Sequence, residues 1–329
     1  MFDFDSLERE ERVCEAEARK KKASVVRRSI AWKLSAPTYR REVHVCTYNV
    51  LAPCYFRDGQ GGVEADGPFW QARFEAQVAA VFTAADPDIL CLQEFWFVPY
   101  LQELLGDVAK SRGYELFFCR RTGWALKEDG LAVLVRNSRL QVVEAEEQEL
   151  CKEGSRVLLK LLLELKEPGR RTQPTSFVLG CTHLTHPHGE HTNRMRMVQA
   201  FHASRSCFNF ARKHGLDPAS AALVLVGDMN AKAGAEEDLA LQTFAGDSWR
   251  SAFAEVHGHE AGATHRTHRD ELVCADFILL YGGLRATSAA VLPLADDSDA
   301  AIARAMVGRA AGLSGEPPPA SLADWAQLS

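Results

Sequence analysis

The sequence lacks the features of a secreted, disulfide-stabilised or membrane-spanning protein. No apolar run is long enough to cross a bilayer, and none of the nine cysteines lies in a C-x-x-C pair. The chain begins with the acidic segment 1–5 and continues with dense mixed charge, which is typical of neither a signal nor a transit peptide. Scattered cysteines of odd number favour a reducing compartment. We therefore expect a cytoplasmic protein, with the nucleus as the alternative.

A net positive charge is also missing. The chain carries 38 Lys and Arg against 44 Asp and Glu, which gives a formal net charge of −6. Because no overall positive field attracts nucleic acid, a polyanionic substrate would need local cations or a metal ion. The content of hydrophobic residues (47%) and of charged residues (25%) is ordinary for a globular protein. We find neither an internal repeat nor a recognisable protein-docking module.

The distribution of charge divides the chain into two parts. Residues 1–42 are predicted to form a charged N-terminal arm, and residues 43–329 are predicted to form one folded domain. Within the arm, lysines 20–22 and arginines 27–28 are expected to form a solvated face. Contact of these residues with RNA or a membrane surface is the alternative.

Apolar, strand-like runs alternate with amphipathic helical segments along the domain. Strands are expected at 43–50, 88–94, 114–119, 129–135, 139–145, 156–166, 177–183, 223–226, 273–281 and 284–292. Helices are expected at 68–84, 98–112 and 190–214, with shorter helices near 236–244 and 248–256. The last strand is predicted to be the hairpin partner of the strand before it. This alternation predicts an α/β domain of two sheets flanked by helices.

Polar side chains lie at or near the ends of several apolar strands. They are Asn49, Glu94, His183, Asp228, Asn230 and Asp276. One interpretation of each is a hydrogen-bonded strand end, such as an Asx turn. A lone carboxylate on a buried strand is costly without a partner or a metal, however, and several together would form an oxygen-rich pocket. Such a pocket suits a hard divalent cation, Mg²⁺ first and Mn²⁺ as the alternative.

Six short motifs containing these residues occur in an order that resembles a known family. The motifs are Thr47-Tyr48-Asn49, Leu92-Gln93-Glu94, Asp129-Gly130-Leu131-Ala132, Thr182-His183-Leu184, Gly227-Asp228-Met229-Asn230 and Asp276-Phe277-Ile278. The set resembles the endonuclease/exonuclease/phosphatase superfamily, in its branch of CCR4-type deadenylases, nocturnin and Angel. The resemblance covers about residues 43–295. It implies a DNase I-like fold, a four-layer α/β/β/α sandwich of two mixed sheets flanked by helices.

The resemblance also implies a metal site. Glu94 would be the main Mg²⁺ ligand, and Asn49 would support the metal directly or through water. Asp276 would lie near the metal. Mn²⁺ is the alternative cation.

Catalytic roles follow from the same resemblance. Asp228 would orient and deprotonate the attacking water, while Asn230 and His183 would hold the scissile phosphate. Arg121 is a further candidate for phosphate contact. Separately from the resemblance, His188 and His265 lie in histidine-rich loops and are expected to contact substrate.

The histidines at 183, 186, 188 and 191 are also close enough in sequence to suggest a zinc site, which is the alternative for that loop.

Two departures from the family pattern concern activity and specificity. The family closes with Ser-Asp-His, but here Ser298-Asp299 is followed by Ala300. Either the histidine has been replaced, or the sequence is truncated just after Ser329, before the closing Asp-His and the last strand; the spacing favours truncation. Poly(A)-selective members carry a base-stacking aromatic where this chain has Glu271.

The expected function is Mg²⁺-dependent hydrolysis of RNA or nucleotide phosphodiester bonds by in-line attack of water, in the manner of a 3′-exoribonuclease or deadenylase. A phosphatase acting on a phospholipid, inositol or dinucleotide headgroup is one alternative. A catalytically impaired scaffold of the same fold that binds nucleic acid or a protein is the other.

Overall fold

Two β-sheets pack face to face, and helices cover the outer side of each sheet. The computed structural model describes residues 30–36, 39–55, 67–123, 128–166, 175–217, 219–231, 238–266 and 272–292. In chain order, the elements are β1 (Ile30–Ala36), β2 (Tyr39–Asn49), α1 (Gly67–Ala84), β3 (Ile89–Trp96), α2 (Pro99–Arg112), β4 (Tyr114–Arg120), β5 (Asp129–Arg136), β6 (Leu140–Glu149), β7 (Val157–Leu165), β8 (Ser176–His183), α3 (Glu190–Lys213), β9 (Leu223–Asp228), α4 (Leu239–Gly246), β10 (Arg250–Ser251), α5 (Ala252–His257), β11 (His265–Arg266), β12 (Leu272–Val273), β13 (Asp276–Tyr281) and β14 (Arg285–Val291).

Both large sheets are mixed. The first has the strand order β14-β1-β2-β3-β5-β4, and the second has the order β10-β13-β9-β8-β7-β6. One pair in each sheet is parallel, β2 with β3 and β8 with β9, while the other pairs are antiparallel. A parallel pair requires a crossover connection. Helices α1 and α3 provide these crossovers.

Three hydrophobic clusters show how the layers pack. The cluster between the sheets includes Val45, Val133 and Leu179, all fully buried. A second cluster packs β7, β8 and β9 against α3 and α4, and a third packs β2, β3 and β5 against α1 and α2. Strands in both sheets are therefore covered on two faces, which explains their continuous apolar runs. This arrangement confirms the predicted four-layer α/β/β/α sandwich.

The structure corrects part of the predicted N-terminal arm. Within segment 1–42, Ile30–Ala36 forms β1, and residues from 39 onward belong to β2. β1 pairs with β2 on one side and with β14 on the other, so this part of the segment belongs to the first sheet. The many charged residues that precede β1 in the sequence obscure the pattern of this short strand. Residues 1–29 lie outside the described residues.

The predicted partner of the last described strand was wrong. β14 was expected to form a hairpin with β13, but it pairs with β1 in the first sheet. β13 instead lies between β9 and β10 in the second sheet. The turn at Gly282 and Gly283 therefore connects a strand of one sheet to a strand of the other. Gly282 has a φ of 70°, and an added Cβ would lie 2.1 Å from a carbonyl oxygen, so this position has no room for a side chain.

Among the described helices, none combines the length and the apolar character needed to cross a bilayer.

Candidate active site

The strand-end polar residues converge where the two sheets meet. Asn49 is aligned with Gln93 across the parallel pair of the first sheet. In the second sheet, His183 and Asp276 are both aligned with Asp228, one on each neighbouring strand. Residues far apart in the sequence therefore reach one edge of the sandwich, as the strand-end pattern indicates.

Asn49 joins the two sheets through their carboxylates. Its Nδ2 donates hydrogen bonds to Oε1 of Glu94 in the first sheet and to Oδ2 of Asp228 in the second, each at 2.8 Å. Its Oδ1 accepts a hydrogen bond from the backbone N–H of Leu51 at 2.9 Å, which fixes the orientation of the carboxamide. Since the amide nitrogen faces the carboxylates, Asn49 positions the acidic groups in this arrangement.

The backbone at Glu94 departs from regular strand geometry. Its φ is 57°, and the pairing of β3 with β5 shifts register between Gln93 and Phe95. A bulge of this kind redirects a side chain, and positive φ in a residue other than glycine is strained. Oε2 of Glu94 then accepts a hydrogen bond from the backbone N–H of Ala52 at 2.9 Å. The bulge therefore aims Glu94 at Asn49 and Asp228.

Asn230 holds His183 from the other side. Its Nδ2 donates to the carbonyl oxygen of Leu184 at 2.9 Å and contacts Nε2 of His183 at 3.0 Å. Because both hydrogens of Nδ2 are then used as donors, Nε2 of His183 accepts, and a neutral His183 carries its proton on Nδ1. The backbone N–H of Asn230 donates to Oδ1 of Asp228 at 2.8 Å, and Arg196 donates to the Asn230 carbonyl oxygen.

Gly227 permits the close approach of β8 and β9 at this point. It has a φ of 146°, and an added Cβ would lie 1.8 Å from the carbonyl oxygen of Thr182. No side chain fits there. The glycine of the Gly-Asp-Met-Asn motif therefore lets Asp228 lie directly beside His183.

Glu94, His183 and Asp228 form a group that fits a divalent cation. One potential ligand atom from each lies within 4.8 Å of the others, and all three residues are buried. Nε2 of His183 is 4.0 Å from Oε1 of Glu94 and 3.8 Å from Oδ2 of Asp228. Ligands at about 2.1 Å from an octahedral Mg²⁺ lie roughly 3.0 to 4.2 Å apart. The two carboxylates therefore supply oxygen donors of the kind that such a site needs, while Nε2 of His183, whose lone pair accepts from Asn230, lies beside them.

Asp276, predicted to lie near the metal, is not a member of this three-residue group among the described residues. Its Oδ2 accepts a hydrogen bond from Oγ1 of Thr264 at 2.6 Å, and that same hydroxyl oxygen accepts from the backbone N–H groups of Ala275 and Asp276. Thr264 therefore orients Asp276 on the strand next to Asp228. Sequence analysis did not single out Thr264, since a threonine in a histidine-rich loop gives no local signal.

Arg121, predicted to contact substrate, is held by internal partners. It forms an ion pair of 3.3 Å with Asp129, and its Nη1 donates to the hydroxyl of Tyr55 at 2.6 Å. Its other nitrogens donate to the carbonyl oxygens of Gly154 and Ser155. Burial, followed by the charge of Asp129, raises the pKa of Tyr55. The guanidinium therefore links β5 to the loop before β7 and is committed to these contacts.

The structure describes the two histidines that were predicted to contact substrate to different extents. His188 lies in the exposed loop between β8 and α3, with its ring centroid 4.7 Å from that of His186. For His265, the structure describes only the backbone, which pairs with Val273 in the ribbon of β11 and β12. Neither contact with substrate is tested by this arrangement, so both stay predictions. Glu271 and the segment 298–300 lie outside the described residues.

The alternative zinc site at the 186–191 loop gains no support. The exposed His191 lies 3.5 Å from a carboxylate oxygen of Glu153, and within the described ranges no three-ligand group includes His186, His188 or His191.

The environment next to the acidic group is electrostatically negative. Burial, followed by the charges of Asp129 and Glu94, raises the pKa of the Cys54 thiol to about 12. A negative field disfavours the thiolate and favours a bound cation. This agrees with the donor set described above.

Comparison with known proteins identifies the family. The chain is 24% identical to Protein angel of Drosophila melanogaster over 262 residues, which cover 74% of this chain and 71% of the fly protein. The human Nocturnin catalytic domain superposes with a TM-score of 0.53 at 23% identity, covering 75% of this chain and 84% of that domain. ANGEL2, described as a 2′,3′-cyclic phosphatase, superposes with a TM-score of 0.55 at 17% identity, covering 78% of this chain and 86% of that chain.

These structural likenesses establish the DNase I-like fold. The sequence profile of the Endonuclease/Exonuclease/phosphatase family matches residues 46–299, which include every strand-end residue of the site. The chain therefore belongs to the endonuclease/exonuclease/phosphatase family of phosphoester hydrolases.

Proposed function

We propose that this chain is an Mg²⁺-dependent phosphodiesterase that hydrolyses RNA or nucleotides, with 3′-exonucleolytic, deadenylase-like action on RNA. The observation that carries the proposal is the bridge by Asn49, which holds carboxylates from both sheets at 2.8 Å from one amide nitrogen. Two buried acidic groups held this close suit a cation and a phosphate better than a purely structural role.

Each side chain has a task in this proposal. Glu94 would hold the cation, with Asp228 beside it, and the bound cation would neutralise charge on the phosphate oxygens. Asp228 accepts the proton of the attacking water, because its carboxylate is anchored by Asn49 and by the backbone N–H of Asn230. Asn230 and His183 are hydrogen-bonded to each other and would hold the scissile phosphate together. Donation from these two side chains to the phosphate requires the contact between Nδ2 and Nε2 to be exchanged for contacts with the phosphate oxygens, where such donors stabilise developing charge.

Solved relatives support a phosphate-binding role. The human Nocturnin domain was determined with a bound sulfate anion, and ANGEL2 was determined in complex with adenosine-2′,3′-vanadate. Both oxyanions resemble phosphate in shape and charge. Transfer of this role to the present chain is part of the proposal, since the identities are 23% and 18%.

A phosphatase acting on a compact phosphate is the second candidate function. ANGEL2 is described as a 2′,3′-cyclic phosphatase. Phospholipid, inositol, dinucleotide and cyclic phosphates belong to this candidate. An impaired binding scaffold would follow if Ala300 is a true replacement of the closing histidine.

The test is hydrolysis of a panel in Mg²⁺ and in EDTA. The panel contains poly(A), mixed-sequence RNA, 2′,5′-oligoadenylate, NADP, an oligonucleotide with a 2′,3′-cyclic phosphate, and an inositol phosphate. We expect Mg²⁺-dependent cleavage of RNA or a nucleotide, and Asp228→Asn should lower kcat by about 100-fold or more because it removes a general base. Asp107→Asn, the same substitution on the exposed face of α2, is the matched control.

The outcomes separate the candidates. Cleavage confined to the cyclic or inositol phosphates would favour the phosphatase. A folded protein that cleaves nothing would favour the scaffold. Full activity of Asp228→Asn would refute the assignment of the base.

A further inference from the structure

One buried cation beside the site lacks a partner. Arg156 precedes β7 and is 7% exposed. Its Nε and Nη1 are buried without a hydrogen-bond partner, and no ion pair of Arg156 occurs among the described residues. The other buried cations of the described chain are all paired: Arg121 with Asp129, Lys160 with Glu146, and Arg196 with Asp238. Arg156 is therefore the exception.

An unpaired buried guanidinium is unfavourable in the free protein. Burial and the neighbouring charge of Arg121 lower the pKa of Arg156, while Asp129 and Glu94 act in the opposite direction. Charges are normally buried only with a partner, because desolvation is costly. A protein retains such a group at a cost in stability, which an arriving anion can offset.

The unpaired guanidinium lies on the wall of the cleft that leads to the candidate active site. Arg121, Asp129, Arg156 and His183 are among the residues that line this cleft. His183 also belongs to the group with Glu94 and Asp228. Arg156 therefore lines the same cleft as His183, and its Nε and Nη1 have hydrogens that remain available for donation.

The size of the cleft matches one oxygen atom of an oxyanion. Its volume of about 10 Å³ is close to the space taken by a single water. The N–H groups of Nε and Nη1 point to different sides of a guanidinium, so a single oxygen can accept from only one of them. A phosphate oxygen in the cleft would therefore give one buried nitrogen of Arg156 a charged acceptor, and the other nitrogen would need a second oxygen of the same phosphate.

We propose that Arg156, and not Arg121, is the arginine that binds the substrate phosphate, by donating from its guanidinium to a non-bridging phosphate oxygen in the cleft beside His183. This inference rests on the proposed function for the identity of the substrate. Arg121 then acts as a positioning residue that shapes the cleft through Asp129.

The first measurement is binding of inorganic phosphate by isothermal titration calorimetry, in Mg²⁺ and again in EDTA. The variants are Arg156→Met, which keeps most of the aliphatic part of the side chain and removes the charge, and Arg156→Lys, which keeps the charge and loses the planar guanidinium. Arg194→Met removes an arginine from the exposed start of α3 and is the matched control. We expect Arg156→Met to weaken phosphate binding about tenfold or more, and Arg156→Lys to restore part of the affinity.

The second measurement is thermal unfolding in phosphate-free buffer. Since Arg156 has no partner in the free protein, Arg156→Met should melt at or above the temperature of the wild type. Arg121→Met should melt below it, because that change leaves Asp129 buried without its cation.

The inference is overturned by phosphate binding that is unchanged in Arg156→Met, by absence of phosphate binding in the wild type, or by a clear loss of thermal stability in Arg156→Met. Its failure is distinct from failure of the proposed function. Phosphate binding through Arg156 without hydrolysis of any substrate would leave the inference intact and remove the function. Hydrolysis of a substrate with kcat/KM unchanged in Arg156→Met would support the proposed function and overturn the inference about Arg156.

Discussion

Glu94→Gln is predicted to leave the stability of the metal-free protein nearly unchanged and to abolish its stabilisation by Mg²⁺. Glu94 and Asp228 are 3% and 0% exposed, and their potential ligand oxygens lie within 4.8 Å. At an effective dielectric constant of about 20, two such charges repel by about 3.5 kcal/mol. The substitution removes this repulsion while keeping the shape of the side chain.

The gain is reduced by weaker hydrogen bonding. Oε1 of Glu94 accepts from Asn49 and Oε2 accepts from the backbone N–H of Ala52, whereas a glutamine has only one acceptor oxygen. One hydrogen bond weakens by about 1 kcal/mol, and the other donor is left facing the new amide N–H, which costs about 1–3 kcal/mol. The net change in the free energy of unfolding is therefore about −0.5 to 1.5 kcal/mol, which is close to zero.

The assay is thermal unfolding of wild type and variant in EDTA and in saturating Mg²⁺. The wild type should gain about 2.7 kcal/mol at a Mg²⁺ concentration 100 times Kd, and Glu94→Gln should gain much less. Glu103→Gln removes the same charge from the exposed face of α2 and should leave both values unchanged. A Glu94→Gln protein that still gains fully from Mg²⁺ would refute the reasoning.

Three further predictions test the packing of the core. Gly227→Ala should lower the free energy of unfolding by about 3 kcal/mol or more, because the new Cβ would overlap a carbonyl oxygen of β8. Gly106→Ala, in the helix α2, should raise the free energy of unfolding by about 0.5–1 kcal/mol. Equal effects of the two substitutions in urea unfolding would contradict this argument. Burial raises the pKa of Cys207 to about 12, so its thiol should resist alkylation at pH 8 in the native state and react quickly in urea. Rapid labelling of Cys207 in the native state, identified by mass spectrometry, would contradict this prediction. Since the folded protein keeps this proton above pH 9, stability should fall as the pH rises from 9 to 12.

The positions of the site residues could be predicted because chemistry and pattern agree at the strand ends. Asp228 follows four aliphatic residues, all fully buried, and Glu94 likewise ends an apolar run. A polar side chain at such a point must be satisfied by a partner, so its environment follows from its burial. The motifs then indicated the order of these strands in a known fold.

Other features depend on contacts that local patterns do not encode. The pairing of β14 with β1 joins segments more than 200 residues apart in the sequence, whereas hairpin rules consider only neighbours. The roles of Arg121 and Arg156 depend on which of the two forms the ion pair with Asp129. Both arginines lie beside apolar strands, and only the three-dimensional arrangement separates the paired guanidinium from the unpaired one.

The bridge by Asn49 has a consequence for folding kinetics. Its two acceptors are separated from it by 45 and 179 residues in the sequence, so the bridge can form only after both sheets have been assembled and docked. Contacts with such sequence separation close large loops and are slow to form. Recovery of cation binding during refolding should therefore lag behind the recovery of secondary structure. Neither half of the chain on its own can bring the two carboxylates together.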